Sequence, residues 1–328
     1  MSGPSAIVLL PPRARFGGQR LPPVSARWLG RADHLPKGSA SGERMRDWLD
    51  ILPRGWPAAA VTRQRDAGDA AGSTWMRADP VYIQPDINGA RLLAHGESLA
   101  LTAGDAAAFL PALRPLFGDV GMPIDAPDPA RWYLQAPPGS KLPAMASPAE
   151  AVGMDVFDHL PEGPDGRRWR ALLSEAQVVL HNHPRNAQRQ AEGLAPVNSL
   201  WFWGAGTLPD HVTARVERAL TDDDTLAAFF SLGGASVDGL PQRMPTAADA
   251  AGGTTLVDVR HARDLTALDR DWLSPLLAEM AAGRLARITL DFADGHRVRL
   301  ARPHRWRFWR RPWSNPGLGA GASVEATG

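Results

Sequence analysis

The chain has 328 residues, 44% of them hydrophobic, with 36 Lys and Arg against 35 Asp and Glu and no cysteine. This length exceeds the usual size of one hydrophobic core, so we expect two lobes or a core with a large insertion. The near-neutral charge balance gives no global reason to expect a nucleic-acid partner. The lack of cysteine excludes disulfides, thiolate metal sites and a cysteine nucleophile.

Apolar runs in the first part of the chain are short and closely spaced. Residues 6–10, AIVLL, are typical of a buried strand. Pro11-Pro12 stop this run, and no run approaches the roughly 20 residues of a spanning helix, so we expect a cytoplasmic protein without a signal peptide or transmembrane segment. Residues 43–51 have apolar residues at helical spacing, and 56–62 are predicted as a strand. Thr102 and Asp105 have the spacing of a capping box that opens a helix.

The last third of the chain predicts alternating helices and strands. Residues 211–220 are predicted as a helix, 254–259 as a strand and 269–283 as a helix. Alternating segments on both sides of Asp294-Gly295 predict a β-hairpin, since Asp-Gly is a strong signal for its tight turn. This pattern of elements favours an α/β fold.

The central segment, 174–206, carries the strongest functional signal. His183-Pro184-Arg185-Asn186 places proline at the first position of a short helix, which Gly193 ends. The apolar run at 198–203 then predicts a strand covered on both faces. Gly204-Ala205-Gly206 closes this strand, and open α/β sheets bind ligands at such carboxyl ends.

Polar side chains of this segment are candidates for binding an anion. His181 and His183 point the same way if the chain is extended there, and with Asn186 and Arg189 they could grip a phosphate or carboxylate. The alternative is that His183 and Pro184 only shape the turn before the helix. The candidate ligand-binding residues are His181, His183, Asn186, Arg189 and Asn198.

The string HPRNAQRQAEGLAPVNSLWFWGAG resembles a signature of the archaeal-type, cofactor-independent phosphoglycerate mutases of the alkaline phosphatase superfamily. Those proteins carry a similar HPxN, an Arg, Gly-Leu-x-Pro, an Asn, an apolar strand and a terminal Gly-x-Gly. The whole chain is also similar to a bacterial group of regulatory proteins of the regulation-of-pathogenicity-factors type E.

The resemblance implies an alkaline phosphatase-like, degenerate α/β fold, a mostly parallel sheet with helices on both faces and an α+β insertion. We place the phosphatase-like core at 1–78 and 166–313, the α+β insertion lobe at 79–165 and a flexible tail at 314–328.

Two expected sites of the family are missing from the sequence. The first strand of the superfamily ends in an Asp-Gly pair whose carboxylate binds a catalytic metal, whereas the strand at 6–10 is followed by Pro11-Pro12. A Pro-Pro-His-Asp motif has become Ala146-Ser-Pro-Ala149. Ser73 and Thr74 are the only hydroxyls near the position of a nucleophile, and no base is visible beside them. The sequence therefore predicts no metal site.

Two hypotheses follow from these losses. The first is a phosphoglycerate mutase-like protein without the two-metal site, a non-catalytic regulatory or ligand-sensing protein for an unknown small anionic ligand or a protein partner. The second is an active, metal-dependent phosphoglycerate mutase or phosphatase that binds Mn²⁺ or Zn²⁺ through displaced ligands. Whether the protein is an enzyme stays open. The displaced ligands would be Asp33, His34, Asp79, Asp258, His261 and Asp291.

A third hypothesis rests on residues 302–313, RPHRWRFWRRPW, which hold five Arg and three Trp. Such a segment can lie at an anionic membrane surface or bind a protein partner, and a nucleic-acid partner is less favoured. The protein would then be a membrane-peripheral or partner-binding scaffold. The alternative is an edge strand whose Trp rings cover the core. The candidate contact residues are Arg305, Trp306, Arg307, Trp309, Arg310 and Arg311.

Overall fold

The computed structural model describes residues 3–36, 45–87, 89–245 and 253–317. Its strands, in chain order, are β1 (Ser5–Leu10), β2 (Asp33–Leu35), β3 (Leu49–Leu52), β4 (Thr74–Asp86), β5 (Gly89–His95), β6 (Ile124–Asp128), β7 (Arg131–Ala136), β8 (Ser199–Thr207), β9 (His211–Ala214), β10 (Arg218–Leu220), β11 (Ser236–Asp238), β12 (Thr254–Asp258), β13 (Arg287–Phe292) and β14 (Arg297–Ala301).

The helices follow the same numbering and are α1 (Pro23–Gly30), α2 (Ala58–Ala67), α3 (Ala103–Gly118), α4 (Pro148–Ala151), α5 (Gly163–His181), α6 (Pro184–Ala191), α7 (Asp224–Leu232), α8 (Leu265–Leu268) and α9 (Ser274–Ala281). A π-helical segment, Asp269–Leu273, joins α8 to α9. Short 3-10 helices lie at Arg13–Phe16, Met45–Asp47, Gly96–Leu99, Val156–His159 and Arg302–Trp306.

The chain forms two compact units, residues 1–52 with 211–328 (the core unit) and residues 53–210 (the inserted unit). The inserted unit interrupts a β-hairpin of the core unit, because Leu52 and His211 are paired in the antiparallel β3–β9 ladder. These boundaries differ from the expected insertion at 79–165. The reason is that the expected boundary at residue 79 falls inside β4, whose ladder with β8 extends from Thr74 to Val81. Of the expected tail, 318–328 lie outside the described residues.

The core unit contains a seven-stranded sheet in the order β11-β10-β12-β1-β13-β14-β2. The strands from β11 to β13 are parallel, and β14 and β2 are antiparallel to their neighbours. The predicted first strand, β1, lies in the interior of this sheet, and its residues Val8 and Leu9 have no solvent exposure. The predicted mostly parallel α/β sheet and the hairpin at Asp294-Gly295 are thus confirmed.

Two crossover connections place helices on both faces of this sheet. One runs from β10 through α7 to β11, and the other from β12 through α8 and α9 past β1 to β13. They proceed in opposite directions along the sheet. Since such crossovers are right-handed, their helices lie on opposite faces. On the α9 face, Leu276 and Met280 pack with Leu10 and Ile288 in one buried cluster.

The inserted unit is built on an antiparallel sheet, β5-β4-β7-β6, with β8 on the other edge of β4. Helices α3 and α5 cover one face, where Phe117 and Trp169 contact Phe202 of β8. Helix α2 covers β4 and β8 through Ala59 and Ala60, which contact Trp75. The predicted capping box of Thr102 and Asp105 opens α3.

Four sequence predictions were wrong in type or in pairing. Of the predicted strand at 56–62, residues 58–62 form the start of helix α2, since their alanines favour helix. The described part of 43–51 is a 3-10 turn followed by β3, while 43–44 lie outside the described residues. Residues 211–220 form β9 and β10. The signature strand β8 pairs antiparallel with β4 and does not belong to the parallel sheet.

The described residues contain no helix with both the length and the apolar character needed to cross a bilayer.

Candidate functional site at the carboxyl edge of the parallel sheet

The two crossovers of the core unit diverge between the neighbouring strands β10 and β12. The chain leaves β10 toward β11 and leaves β12 toward β13, so the carboxyl ends of these two strands flank a topological switch point. In open α/β sheets, ligands bind in the crevice outside such a point. Thr221 follows β10 and Asp258 ends β12, which places both side chains at this edge.

Arg260 lies between two carboxylates at the switch point. Its Nη2 donates to Oδ2 of Asp258 at 2.7 Å and to Oδ2 of Asp223 at 2.9 Å. Its Nε donates to Oδ1 of Asp258 at 2.7 Å, and the Thr221 hydroxyl donates to Oδ2 of Asp258 at 3.0 Å. One guanidinium group therefore holds together the ends of two parallel strands. We call these four residues the Arg260 cluster.

Asp223 also begins the helix that follows β10. Its Oδ1 accepts hydrogen bonds from the backbone N–H groups of Thr225 and Leu226, which are free donors of the first turn of α7. The sequence favours this contact because aspartate is among the preferred N-cap residues. The cap fixes one oxygen of Asp223 on the helix and directs the other toward Arg260.

Within the Arg260 cluster, the side chains of Arg260 and Asp223 are 34% and 40% exposed, whereas Thr221 and Asp258 are buried. Asp258 is 7% exposed. Burial by itself would raise the pKa of Asp258, but hydrogen bonds and the charge of Arg260 hold this pKa below its usual range. The pKa of Arg260 is raised, because Asp258 and Asp223 outweigh the effect of burial. Asp258 and Arg260 are therefore both ionised at neutral pH.

Other carboxylates at this edge of the sheet are also paired with arginine. Asp291 on β13 accepts from Arg297 Nη2 at 2.8 Å and from the Trp48 ring nitrogen at 3.2 Å. Asp294 accepts from Arg13 Nε at 2.7 Å. Among the described residues, no group of three or more His, Asp and Glu could hold a metal ion. Because its carboxylates are neutralised by arginines, this edge does not fit a two-metal site.

The six displaced ligands named for an active enzyme do not converge. Asp258, His261 and Asp291 lie at the carboxyl edge, but Asp258 and Asp291 are paired with arginines and His261 is exposed. The other three also contact the protein itself: Asp33 pairs with Arg307, His34 contacts His296 on the β13–β14 turn at 3.1 Å, and Asp79 of the inserted unit pairs with Arg77.

Asn186 and Arg189, two of the predicted ligand-binding residues, are buried in the inserted unit. Asn186 Nδ2 donates to the carbonyls of Leu180 at 2.7 Å and Val197 at 2.8 Å, and its Oδ1 accepts from Val197 N–H at 2.8 Å. Arg189 is 0% exposed; it pairs with Asp105 at 3.1 Å and donates to the Ala195 carbonyl. These contacts fasten α5, α6 and the start of β8 together.

The remaining three predicted ligand-binding residues are Asn198, His183 and His181. Asn198 Oδ1 accepts from Ile83 N–H at 2.9 Å, and its Nδ2 donates to the Ile83 carbonyl at 2.7 Å. His183 caps α6 through its Nδ1, and His181 is exposed at the end of α5. Anion binding by these residues stays a prediction. The side-chain amides of Asn186 and Asn198 bond the protein itself.

Residues 302–313 do not form the edge strand considered from the sequence. They begin as the 3-10 helix Arg302–Trp306 and continue without strand pairing in the described residues. Trp306 and Trp309 are 63% and 70% exposed. Arg307 and Arg310 donate to backbone carbonyls of the core unit, whereas Arg305 and Arg311 are exposed.

Sequence reasoning missed Arg260, Asp223 and Thr221. The available signal was the string TDDD at 221–224 before an apolar run, which is typical of an N-cap, and the string DVR at 258–260 after a strand. Neither string shows that the two strands are neighbours.

No known family model matches the chain. A stretch of 65 residues is 40% identical to a probable 2,3-bisphosphoglycerate-independent phosphoglycerate mutase of Geobacter sulfurreducens and covers 20% of this chain and 16% of that protein. A stretch of 66 residues is 41% identical to the 2,3-bisphosphoglycerate-independent phosphoglycerate mutase of Methanosarcina acetivorans and covers 20% and 17%. The chain thus matches only about a sixth of the length of these curated relatives.

One solved structure shares the fold over nearly the whole chain. The PH0037 protein of Pyrococcus horikoshii matches with a TM-score of 0.50 and 11% identity, over 97% of this chain and 92% of that one. The cofactor-independent phosphoglycerate mutase of Thermoplasma acidophilum matches with a TM-score of 0.45 and 15% identity, over 91% and 89%. The chain is therefore similar to phosphoglycerate mutases in a short stretch of sequence, and its fold is shared with a solved protein.

Proposed function

We propose that this chain is a phosphoglycerate mutase-like protein that does not carry out two-metal phosphoryl transfer and works as a non-catalytic regulatory or ligand-sensing protein. The observation that carries the proposal is the position of Arg260 Nη2, within 2.9 Å of carboxylate oxygens from both Asp223 and Asp258. The sequence similarity supports the relationship to phosphoglycerate mutases over 20% of the chain.

The chemistry of the Arg260 cluster supports the absence of phosphoryl transfer. Two-metal catalysis requires cations with open coordination positions that bind the attacking and leaving oxygens. A guanidinium group carries one charge and only donates hydrogen bonds, in a fixed plane. In the cluster it neutralises carboxylates that a metal ion would otherwise need as ligands.

Local charge bears on what such a protein would recognise. Asp223 and Asp258 against Arg260 sum to one negative charge, which disfavours an anion at the switch point. The side-chain amides of Asn186 and Asn198 bond the protein itself, and Arg189 is buried beside Asp105. The proposal therefore favours a protein partner over a small anionic ligand as the recognised molecule.

Metal content and mutase turnover of the purified full chain test this proposal. The protein would be incubated with Mn²⁺ or Zn²⁺, desalted and analysed by mass spectrometry, and assayed with 3-phosphoglycerate. The phosphoglycerate mutase of Methanosarcina acetivorans serves as positive control. We expect no stoichiometric metal and no turnover. Bound metal together with turnover would overturn the proposal and support an active enzyme with displaced ligands.

A further inference from the structure

Three aromatic rings at the C-terminal part of the core unit are exposed to solvent. Trp306, Phe308 and Trp309 are 63%, 77% and 70% exposed. Phe308 and Trp309 contact each other edge to face, with ring centroids 5.5 Å apart. Apolar rings of this size, grouped within four residues, are unusual on a surface that faces only water.

The backbone that carries these rings is fixed to the core unit. Arg307 Nη1 donates to the Arg31 carbonyl at 3.1 Å and pairs with Asp33. Arg310 Nη1 donates to the Ala32 carbonyl at 2.7 Å, and Trp313 N–H donates to the Ala26 carbonyl at 2.8 Å. The rings therefore remain exposed although the segment around them is anchored on both sides.

Gly30 provides a further sign of close packing under this segment. A Cβ at Gly30 would lie 2.1 Å from the Arg311 carbonyl oxygen and 2.9 Å from Pro312 Cα. The backbone of 311–312 thus lies directly against the end of α1. Helix and segment form one surface, which we call the Arg/Trp surface and define by α1 and residues 302–313.

The charge of the Arg/Trp surface is strongly positive. Arg305 and Arg311 are exposed and form no ion pair with a carboxylate of the described residues, and Arg305 stacks 4.9 Å from the Trp306 ring centroid. Arg27 on α1 is exposed as well. The carboxylate of Asp33 is already held by Arg307 and lies 3.3 Å from His304.

We propose that the Arg/Trp surface docks on a membrane surface that carries anionic phospholipids. Tryptophan rings favour the interface between headgroups and acyl chains, and arginines near them are attracted to anionic headgroups. Exposed aromatic rings beside arginines, on a fixed backbone and with no ion pair of Arg305 or Arg311 to a carboxylate of the described residues, provide both contributions at once. Stable attachment to a membrane surface commonly needs two such signals.

Co-sedimentation with vesicles tests the proposal on the full chain. Vesicles of phosphatidylcholine alone are compared with vesicles of phosphatidylcholine and phosphatidylglycerol at about 0.15 M ionic strength. We expect the protein to bind only the anionic vesicles, and binding to weaken as salt shortens the Debye length. Inorganic phosphate should not compete, since a free anion lacks the apolar phase that the rings enter.

Two pairs of substitutions separate the contributions of rings and charges. Trp306→Ser with Trp309→Ser should lower the partition coefficient about ten-fold or more, because two large rings leave the interface. Arg305→Glu with Arg311→Glu should lower it about 25-fold or more, since each arginine contributes about five-fold near an anionic surface and the two losses multiply. Circular dichroism melts verify that each variant is folded.

Matched controls exclude general effects of exposure and net charge. Phe157→Ser removes a ring that is 63% exposed in the inserted unit. Arg114→Glu with Arg287→Glu reverses two exposed arginines elsewhere. Both controls should bind vesicles like the unaltered protein. The proposal is overturned if the unaltered protein does not bind anionic vesicles, or if the ring variants bind them as well as the unaltered protein. If the unaltered protein binds no vesicles but binds a protein partner that the ring variants do not bind, the Arg/Trp surface is a protein-binding surface.

Discussion

Arg260 is a single side chain that neutralises carboxylates at the carboxyl edge of the parallel sheet, which a metal ion would otherwise need as ligands. Its guanidinium group joins Asp258, at the end of β12, with Asp223, which begins the helix after β10. Buried ion pairs add little net stability by themselves, but removal of one partner leaves an uncompensated charge. The Arg260 cluster is therefore expected to be sensitive to truncation.

Arg260→Ala should lower the free energy of unfolding by about 3 kcal/mol, since the carboxylate of Asp258 stays buried without its partner. Urea denaturation measures this change. Arg270→Ala is the matched control, because Arg270 is 72% exposed in its pair with Asp271, and it should cost less than about 1 kcal/mol. Equal effects of the two substitutions would contradict the role given to the cluster.

Asp105 has the same kind of role in the inserted unit, and there it makes stability dependent on pH. It is 0% exposed. Burial would raise its pKa, but the Thr102 N–H and hydroxyl, Arg185 and Arg189 together lower its pKa to about 2. A carboxyl group whose pKa is lower in the folded than in the unfolded chain stabilises the fold above its unfolded pKa.

Asp105→Asn should therefore lower the free energy of unfolding by about 2 kcal/mol near neutral pH. The difference from the unaltered protein should shrink as the pH falls from about 4 toward 2, where Asp105 becomes protonated in both states. Denaturation curves across this pH range measure it. Asp86→Asn, at an exposed carboxylate paired with Arg91, should have little effect, and a pH-independent loss in Asp105→Asn would contradict the assignment.

At the scale of elements, the Gly-x-Gly at the end of β8 is explained by packing against α2. Gly204 has a φ of +66°, and a Cβ there would lie 2.9 Å from the Ala58 Cβ. Gly206 would place a Cβ 2.6 Å from the Pro57 Cβ. The glycines therefore allow helix and strand to approach closely.

Gly204→Ala should destabilise the protein through both strained backbone and steric overlap, by about 2 to 4 kcal/mol. Gly193→Ala measures the backbone strain alone, because Gly193 has a φ of +75° with no atom within 4 Å of an added Cβ. This substitution should lower the free energy of unfolding by about 1 kcal/mol. Thermal unfolding of both variants measures the difference. A Gly204→Ala variant as stable as Gly193→Ala would contradict the packing role.

At the scale of the whole molecule, the inserted unit interrupts a hairpin whose strands remain paired. Leu52 and His211 are direct partners in the β3–β9 ladder, so the chain leaves and re-enters the core unit at neighbouring positions. The inserted unit is continuous in sequence and contains its own sheet and buried cluster. Both properties are typical of units that fold independently.

Replacement of residues 53–210 by a two-residue Asn-Gly turn should leave a core unit that folds, and residues 53–210 alone should fold as well. Circular dichroism and cooperative urea unfolding of both products measure this. A scrambled 53–210 sequence of the same composition is the control for the second product. If either product lacks a cooperative transition, the two units depend on each other for stability.

Several features of the fold were predicted correctly from local sequence patterns. The buried strand β1, the Asp294-Gly295 hairpin, the capping box of Thr102 and Asp105 and the short helix α6 follow from periodicity, turn chemistry and capping over a few residues. The α/β class follows from their order along the chain. Helix 58–67 and strands β3 and β9 were missed because their short apolar segments fit either structure.

Contacts between distant residues depend on how the strands pair. Arg260 and Asp223 are separated by 37 positions, and they meet because β10 and β12 are parallel neighbours in the sheet. The apolar run at 198–203 would suit a parallel or an antiparallel sheet equally well. Its pairing with β4 places it in the antiparallel sheet of the inserted unit. Strand pairing and register are long-range properties, which depend on contacts between distant segments and not on the local pattern of either strand.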